Sequence, residues 1–199
     1  MSGLDGAQLP DETSGPQRVF EGDLVVPLMS PWLACRDLWW LSLSSTSITD
    51  VSLQAIARSC RKLRHLKLQC RNMTDAGLIP LAQCWSLRGL ELVAPYVTNE
   101  GISYVSRLNS FKLSSNDRVT PAAFVGLLRR SPHIWGIYCS SCKHLEKSAI
   151  FWHCYREFEN DHLQCHHPAM QSMAWHVPES ELRELPPAAI SALGVKFET

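Results

Sequence analysis

Cysteine and histidine are concentrated between residues 139 and 167, and these are the residue types in the chain best able to do chemistry. Cys139 and Cys142 form a C-x-x-C pair, and His162 and Cys165 form a second pair with the same spacing. Thiolate sulfur and imidazole nitrogen are the ligands that structural zinc takes in tetrahedral geometry. One hypothesis is therefore a zinc-binding regulatory protein that holds the metal with these four side chains.

The cysteines of this segment also fit a repeating pattern of buried positions. Cys139 stands where other segments carry a strand leucine, and Cys142 stands at the turn position that follows. A buried free cysteine behaves as a small hydrophobic side chain, and its thiol is inert. Because this interpretation explains both residues without a ligand, we prefer it, and the sequence predicts no metal or other cofactor.

Motifs for catalysis do not stand out in the sequence. A catalytic cysteine would need a histidine to activate its thiol, and nothing in the sequence pattern supplies that pairing. The ten glycines are scattered rather than grouped into a phosphate-binding loop, and no G-x-S-x-G motif is present. The sequence therefore predicts a protein that is not an enzyme.

A repeated leucine pattern organises most of the chain. Three segments read L-x-x-L-x-L and two weaker copies follow, at steps of 25, 24, 21 and 26 residues, and they begin at Leu38, Leu63, Leu87, Leu108 and Ile134. Alternating leucines place two side chains on one face of a short strand. An apolar residue and a threonine follow, as in Met73–Thr74, and threonine is suited to cap a helix. Each unit is therefore predicted to be a strand plus a helix, stacked on its neighbours to bury a shared core.

These repeats resemble those of leucine-rich-repeat proteins, in particular the cysteine-containing subtype of F-box/LRR proteins and of the antagonist-of-mitotic-exit-network family. The resemblance is carried by LSLSSTSITDVSLQAIARSC, LKLQCRNMTDAGLIPLAQC and LELVAPYVTNEGISYV, and it covers about Leu38 to Ile137. It implies an α/β fold: a right-handed leucine-rich-repeat solenoid, a horseshoe segment with parallel strands on the concave face and helices on the convex face. The resemblance also implies a role in protein recognition. The chain would select substrates or act as a regulator in a ubiquitin-ligase context, or it would regulate another complex.

Three regions are predicted along the chain: a flexible N-terminal arm at 1–22, leucine-rich repeats at 23–160, and a degenerate C-terminal repeat or cap at 161–199. Residues 24–35 would form the helical half of an incomplete first unit. An intact F-box is not expected, because fewer than 40 residues precede Leu38 and Gly15-Pro16 would break a helix there. Within the cap, we predict a sixth strand at 170–175, a helix at 187–193 closed by Gly194, and an edge strand at 195–197.

Charge and hydropathy narrow the choice of partners. Nineteen basic side chains balance nineteen acidic ones, so the net charge favours neither nucleic acid nor an anionic membrane. No apolar run reaches the roughly 20 residues that a membrane helix needs, and the first twenty residues lack the pattern of a secretory signal. Eight cysteines without an export signal predict a reducing compartment, the cytoplasm or the nucleus.

The residues between the buried strand leucines form columns on the predicted concave face. Arrays of this kind bind partners through that face, and aromatic side chains are often decisive at interfaces. We therefore predict that the face binds another protein and that the chain is monomeric within a larger complex. The predicted partner-binding residues are Trp40, Ser42, His65, Lys67, Gln69, Glu91, Lys112 and Tyr138.

Overall fold

The computed structural model describes residues 17–21, 37–44, 48–157, 167–174 and 176–195, with the backbone alone for 17–21 and Lys147. These residues form an α/β structure with a sheet of six parallel strands. Each strand pairs with the next one along the chain, so the strand order in the sheet is the order in the sequence. The strands are β1 (Gln17–Glu21), β2 (Trp40–Ser44), β3 (His65–Gln69), β4 (Gly89–Val93), β5 (Ser110–Ser114) and β6 (Gly136–Ser140).

Apolar side chains stack from strand to strand on the inner face of this sheet. One row in register is Leu41, Leu66, Leu90, Phe111 and Ile137, and a second is Leu43, Leu68, Leu92, Leu113 and Cys139. All of them are buried except Cys139, which is half-buried on β6, the last strand of the sheet. The prediction that the alternating leucines share one interior is confirmed.

Helical segments connect the strands and pack against one another. The α-helices are α1 (Asp50–Ser59), α2 (Asn99–Tyr104), α3 (Ala122–Arg130), α4 (Lys147–Glu157), α5 (Pro168–Ala174), α6 (Glu179–Leu182) and α7 (Pro187–Leu193). Between β3 and β4 the chain instead forms two 3-10 turns, Asp75–Gly77 and Pro80–Gln83, because Pro80 lacks the N–H that would continue a helix. Helix α2 packs on α3, α3 on α4, and α4 on α5. None of the described helices is long and apolar enough to cross a membrane.

Asn116 joins two neighbouring units in the loop after β5. Its Nδ2 donates to the carbonyl oxygens of Ala94 at 2.7 Å and Val97 at 2.8 Å, both in the preceding unit. Asn116 is fully buried, and a buried amide that loses its partners costs about 1–3 kcal/mol. The loop makes room for this side chain by placing Ser115 in the left-handed region, with φ of 54°. A turn residue therefore contributes to the coupling between units.

The first residue of α1, of the first 3-10 turn and of α2 binds the threonine of the following unit. Oδ1 of Asp75 accepts from the backbone N–H of Thr98 at 2.7 Å, and Oδ2 accepts from the Thr98 hydroxyl at 2.6 Å. The same arrangement joins Asp50 to Thr74. Asn99 likewise accepts from the Thr120 N–H through Oδ1, but its Nδ2 donates to the Thr120 hydroxyl oxygen. Thr98 also accepts from the N–H of Glu100, which confirms the predicted helix cap at that position. The sequence predicts only the local cap, whereas the structure adds a ladder of bonds between units.

Two glycines leave room for the carboxylates of this ladder. A Cβ on Gly101 would lie 2.2 Å from Oδ1 of Asp75, and a Cβ on Gly77 would lie 2.5 Å from Oδ1 of Asp50. Neither distance can hold a carbon atom unless the carboxylate moves away from the threonine it binds. Packing between units therefore requires glycine at these two positions.

The C-terminal cap differs from the prediction in one element. The sequence predicts a strand at 170–175, but Pro168–Ala174 forms α5, with Met170 and Met173 buried. Three-residue spacing places both methionines on one helix face, and proline is tolerated at the start of a helix. Helix α7 and its C-cap are confirmed, since Gly194 has a φ of 69°. The predicted edge strand at 195–197 extends beyond the described residues.

The N-terminal region also differs from the prediction. The sequence places residues 1–22 in a flexible arm, but the backbone of Gln17–Glu21 pairs in parallel with β2 as strand β1. This segment carries no L-x-x-L-x-L triplet, so the repeat pattern gives no sign of it. The half-unit predicted at 24–35 lies outside the described residues.

We predict that Leu66→Asp unfolds the chain. Leu66 is 1% exposed, and a buried carboxylate without a partner costs several kcal/mol, a large part of a domain's stability. Gln69→Asp is the matched control, because it adds the same charge to the same strand at an exposed position. Circular dichroism melting curves should show a folded control and an unfolded Leu66→Asp chain. Wild-type melting of Leu66→Asp would contradict the inward orientation of the leucines.

We also predict that Gly101→Ala destabilises the chain by about 1–3 kcal/mol, because the new methyl group would collide with Asp75. Alanine normally stabilises a helix relative to glycine by about 1 kcal/mol. Gly126→Ala in α3 is the control, since its Cβ would meet only the flexible end of Arg130. In urea titrations, the double variant Gly101→Ala/Asp75→Ala should lose less free energy of unfolding than the two single variants lose in sum. Strictly additive losses in the free energy of unfolding would refute the collision between the new methyl group and Asp75.

Candidate functional site

The outer face of the sheet carries the side chains that alternate with the buried rows. Seven of the eight predicted partner-binding residues are accessible there: Trp40, His65, Lys67, Gln69, Glu91, Lys112 and Tyr138. Ser42 is only 8% exposed and offers a partner almost no surface, contrary to the prediction. Its short side chain lies in register with the much longer Lys67 on the adjacent strand. The candidate site is therefore displaced from β2 toward β3–β6.

Four of the accessible residues form one row across β3 to β6, which we call the outer row. Lys67, Glu91, Lys112 and Tyr138 are direct partners in register, on strands about 4.8 Å apart. Nζ of Lys67 lies 3.8 Å from Oε2 of Glu91. An exposed pair of this kind adds at most about 1 kcal/mol to stability. Its main consequence is that the Glu91 charge is already balanced by Lys67.

A groove of about 460 Å³ lies on this face beside the outer row. Its lining residues are Arg64, His65, Arg88, Leu90, Glu91, Asn109, Ser110, Phe111, Lys112, Trp135 and Tyr138. Four of these residues directly precede their strands: Arg64, Arg88, Asn109 and Trp135. None of the four is among the predicted partner-binding residues. The sequence feature that could have identified them is their shared position in the repeat, directly before the first outward-facing residue of each strand.

Small residues stand at corresponding positions of three strands on this face. Gly89, Ser110 and Gly136 are neighbours in register across β4, β5 and β6. A Cβ on Gly89 would lie 2.4 Å from Nδ1 of His65, and a Cβ on Gly136 would lie 2.7 Å from the ring of Tyr138. The rings of His65 and Tyr138 therefore occupy the space above the two glycines, and Ser110 lines the groove between them.

Three cations border the groove: Arg64 and Arg88 directly precede β3 and β4, and Lys112 lies on β5. Arg88 follows Arg64 in register, since its N–H donates to the Arg64 carbonyl oxygen at 2.7 Å. Nη1 of Arg88 donates to the carbonyl oxygens of Trp85 and Leu87, which fixes the guanidinium in place. Lys112 stands on the next strand and is exposed. The groove therefore has a positive rim, and its one acid is Glu91.

His65 contributes a neutral ring to the groove. Burial lowers the pKa of His65 below its ordinary value and Arg64 lowers it further, while Glu91 acts in the opposite direction. The imidazole is therefore mainly uncharged at pH 7. Its ring meets that of Trp39 edge to face, with centroids 5.9 Å apart. A neutral imidazole both donates and accepts hydrogen bonds, so His65 can recognise polar groups without adding charge.

Polar and aromatic side chains lie side by side in the groove lining. His65 and Ser110 both line the groove, but no hydrogen bond joins them, and a serine nucleophile needs an adjacent base. Trp135 is 45% exposed and offers a large apolar surface beside charged groups. Aromatic and arginine side chains in a pocket are the residues that most often dominate protein interfaces.

Cys139 and Cys142 are half-buried and pack at the edge of the core. Sγ of Cys142 lies 3.3 Å from the carbonyl oxygen of Ser140 and 3.8 Å from that of Leu113 in the preceding unit. Burial raises the pKa of the Cys142 thiol, although hydrogen bonds with the backbone of Asn116, Ser140 and Ser115 oppose the shift. The other two predicted zinc ligands, His162 and Cys165, lie outside the described residues. Within the described part of the chain, no three His, Cys, Asp or Glu side chains are arranged to hold a metal.

Comparison with known proteins adds no family assignment, because no protein-family model matches the chain. The resemblance to leucine-rich-repeat proteins therefore rests on the spacing of the repeats and on the quoted segments.

We predict that iodoacetamide at pH 8 modifies Cys142 much faster than Cys70 or Cys154. Burial raises the pKa of both Cys70 and Cys154 to about 12, so roughly one in ten thousand of these thiols is ionised at pH 8. Mass spectrometry of tryptic peptides measures each rate. Faster modification of Cys70 would contradict its burial. Repeating the reaction with added Zn²⁺ tests the zinc hypothesis: protection of Cys139 and Cys142 that EDTA reverses would support it, and unchanged rates would oppose it.

Proposed function

We propose that this chain is a leucine-rich-repeat solenoid of the cysteine-containing subtype that binds another protein through the outer face of its sheet and has no catalytic role. One observation carries the proposal: the sheet is two-sided. Its inner face is filled by stacked leucines, and its outer face holds a groove lined by cations and aromatic rings. The buried side accounts for stability, which leaves the outer side available for recognition.

The strand order supports the solenoid part of the proposal. Parallel strands in sequence order, with a helical segment after each of β2 to β6, require the same crossover to be repeated from unit to unit. Crossovers between parallel strands are right-handed in about 98% of cases. Contacts between consecutive helices are those expected when helices line the convex side. The outer face of the sheet would then be the concave side.

The biological context rests on the family resemblance alone. We propose that the chain recognises a substrate or regulates a complex in a ubiquitin-ligase context, in the cytoplasm or the nucleus, as a monomer within a larger assembly. Protein is the proposed partner because basic and acidic side chains are equal in number, which gives no general attraction to nucleic acid.

Affinity purification from cells tests this proposal. We expect that Lys67→Glu combined with Tyr138→Ala removes the captured partner, because the double change reverses a charge and deletes a ring on the outer row. Val51→Ala combined with Arg58→Glu on α1 is the matched control, since it makes the same kinds of change at exposed positions on a helix. Mass spectrometry identifies the proteins retained by each variant.

Equal capture by both double variants and the wild-type chain would refute the assignment of the outer face. Circular dichroism must show that both variants retain the wild-type melting temperature, so that loss of capture reflects the surface and not the fold. Recovery of ubiquitin-ligase subunits with the wild-type chain would support the proposed context. Capture of other proteins without ubiquitin-ligase subunits would overturn the proposed ubiquitin-ligase context and would still support the proposed binding function.

A further inference from the structure

The charges around the groove are unbalanced. Arg64, Arg88 and Lys112 are cationic, and Glu91 is the one acidic lining residue. Glu91 is paired with Lys67, which lies on the outer row beyond the groove lining. In the part of the chain that the structure describes, no carboxylate oxygen lies within 4 Å of the Lys112 ammonium or the Arg64 guanidinium. The groove therefore presents positive charge that the described residues do not neutralise.

The positions of these cations suit more than one carboxylate. Arg64 and Arg88 extend from neighbouring backbone segments that are directly hydrogen-bonded, so both guanidinium groups start from one end of the groove. Arginine binds carboxylates through two parallel N–H groups. Lys112 lies on the outer row at the side of the groove, and strand spacing separates it from the arginines by several ångströms. Side chains at alternate positions of one extended segment could reach both places.

The floor of the groove suits an apolar side chain. The rings of His65 and Tyr138 lie over Gly89 and Gly136, and Ser110 lines the groove between them. Leu90, Phe111 and Trp135 add apolar surface to the lining. A volume of about 460 Å³ lies within the range of small binding pockets, about 300–1,000 Å³. It can hold one large side chain and the short stretch of backbone that carries it.

We propose that the groove binds an extended acidic segment of a partner protein. One carboxylate lies against Arg64 and Arg88, a second lies near Lys112, and an aromatic or leucine side chain between them enters the floor beside Trp135. The argument for this occupant is charge complementarity, and it rests on the proposed protein-binding function.

A random ten-residue peptide array, probed with the purified full-length chain, tests the inference. Retained peptides should be enriched in Asp and Glu around an aromatic residue or Leu. Binding of these peptides, measured by fluorescence anisotropy, should weaken at least tenfold in Arg64→Glu/Lys112→Glu. It should also weaken as salt rises from 50 to 500 mM, because the rim is exposed. The control Arg58→Glu/Arg71→Glu has the same net charge and should bind as the wild-type chain does.

The outcomes separate this inference from the function on which it rests. Two outcomes would overturn the proposed acidic segment and leave protein binding in place. One is that the retained peptides are not enriched in Asp and Glu, and the other is that they bind both charge-reversed variants with equal affinity. A folded chain that retains no peptide and captures no protein from cells would overturn both. A ten-nucleotide single-stranded RNA that binds more tightly than the best acidic peptide would replace a protein partner with a nucleic acid.

Discussion

Burial of leucine side chains between neighbouring repeat units is the constraint on which the rest of this structure depends. A single strand with its helical segment has one apolar face and no second layer to cover it, so each unit is stable only against the next. The stacked rows fix the register of every strand, because a slip of one residue would turn all the leucines outward. Once that register is fixed, the alternate residues must all lie together on the outer face. The groove is a consequence of the core.

A second interaction, the ladder between aspartate and threonine, makes the coupling between units more specific. Apolar packing alone would tolerate small shifts of one unit against another, whereas the paired bonds from Asp75 to Thr98 are directional. Gly101 preserves that geometry by leaving the carboxylate its space. Asn116 acts in the same way in the loop after β5, where it binds the carbonyl oxygens of Ala94 and Val97. Polar side chains in turns thus set the distance and angle at which successive units meet.

The sequence predicted the strands well and the groove poorly, for a physical reason. Leu66 and Leu68 carry a period-2 pattern that depends only on burial, and burial is repeated in every unit. Arg64 and Trp135 line the groove together with side chains of neighbouring units, and a repeat pattern does not show which side chains of different units meet. Met170 and Met173 were ambiguous for another reason. Two apolar residues three positions apart fit a helix face as well as a weak repeat strand, and Pro168 at the start of the segment is compatible with a helix.

Helix α5 has a consequence for how the protein behaves among copies of itself. The last strand of a parallel sheet has unpaired backbone groups along its outer edge, and such edges recruit strands from other molecules. A seventh strand at this place would only have moved that edge outward. A helix that packs against β6 places its own N–H and C=O groups in internal bonds and buries Met170 and Met173. At the β6 end of the sheet, a helix packed against the last strand hinders the addition of a strand from another molecule.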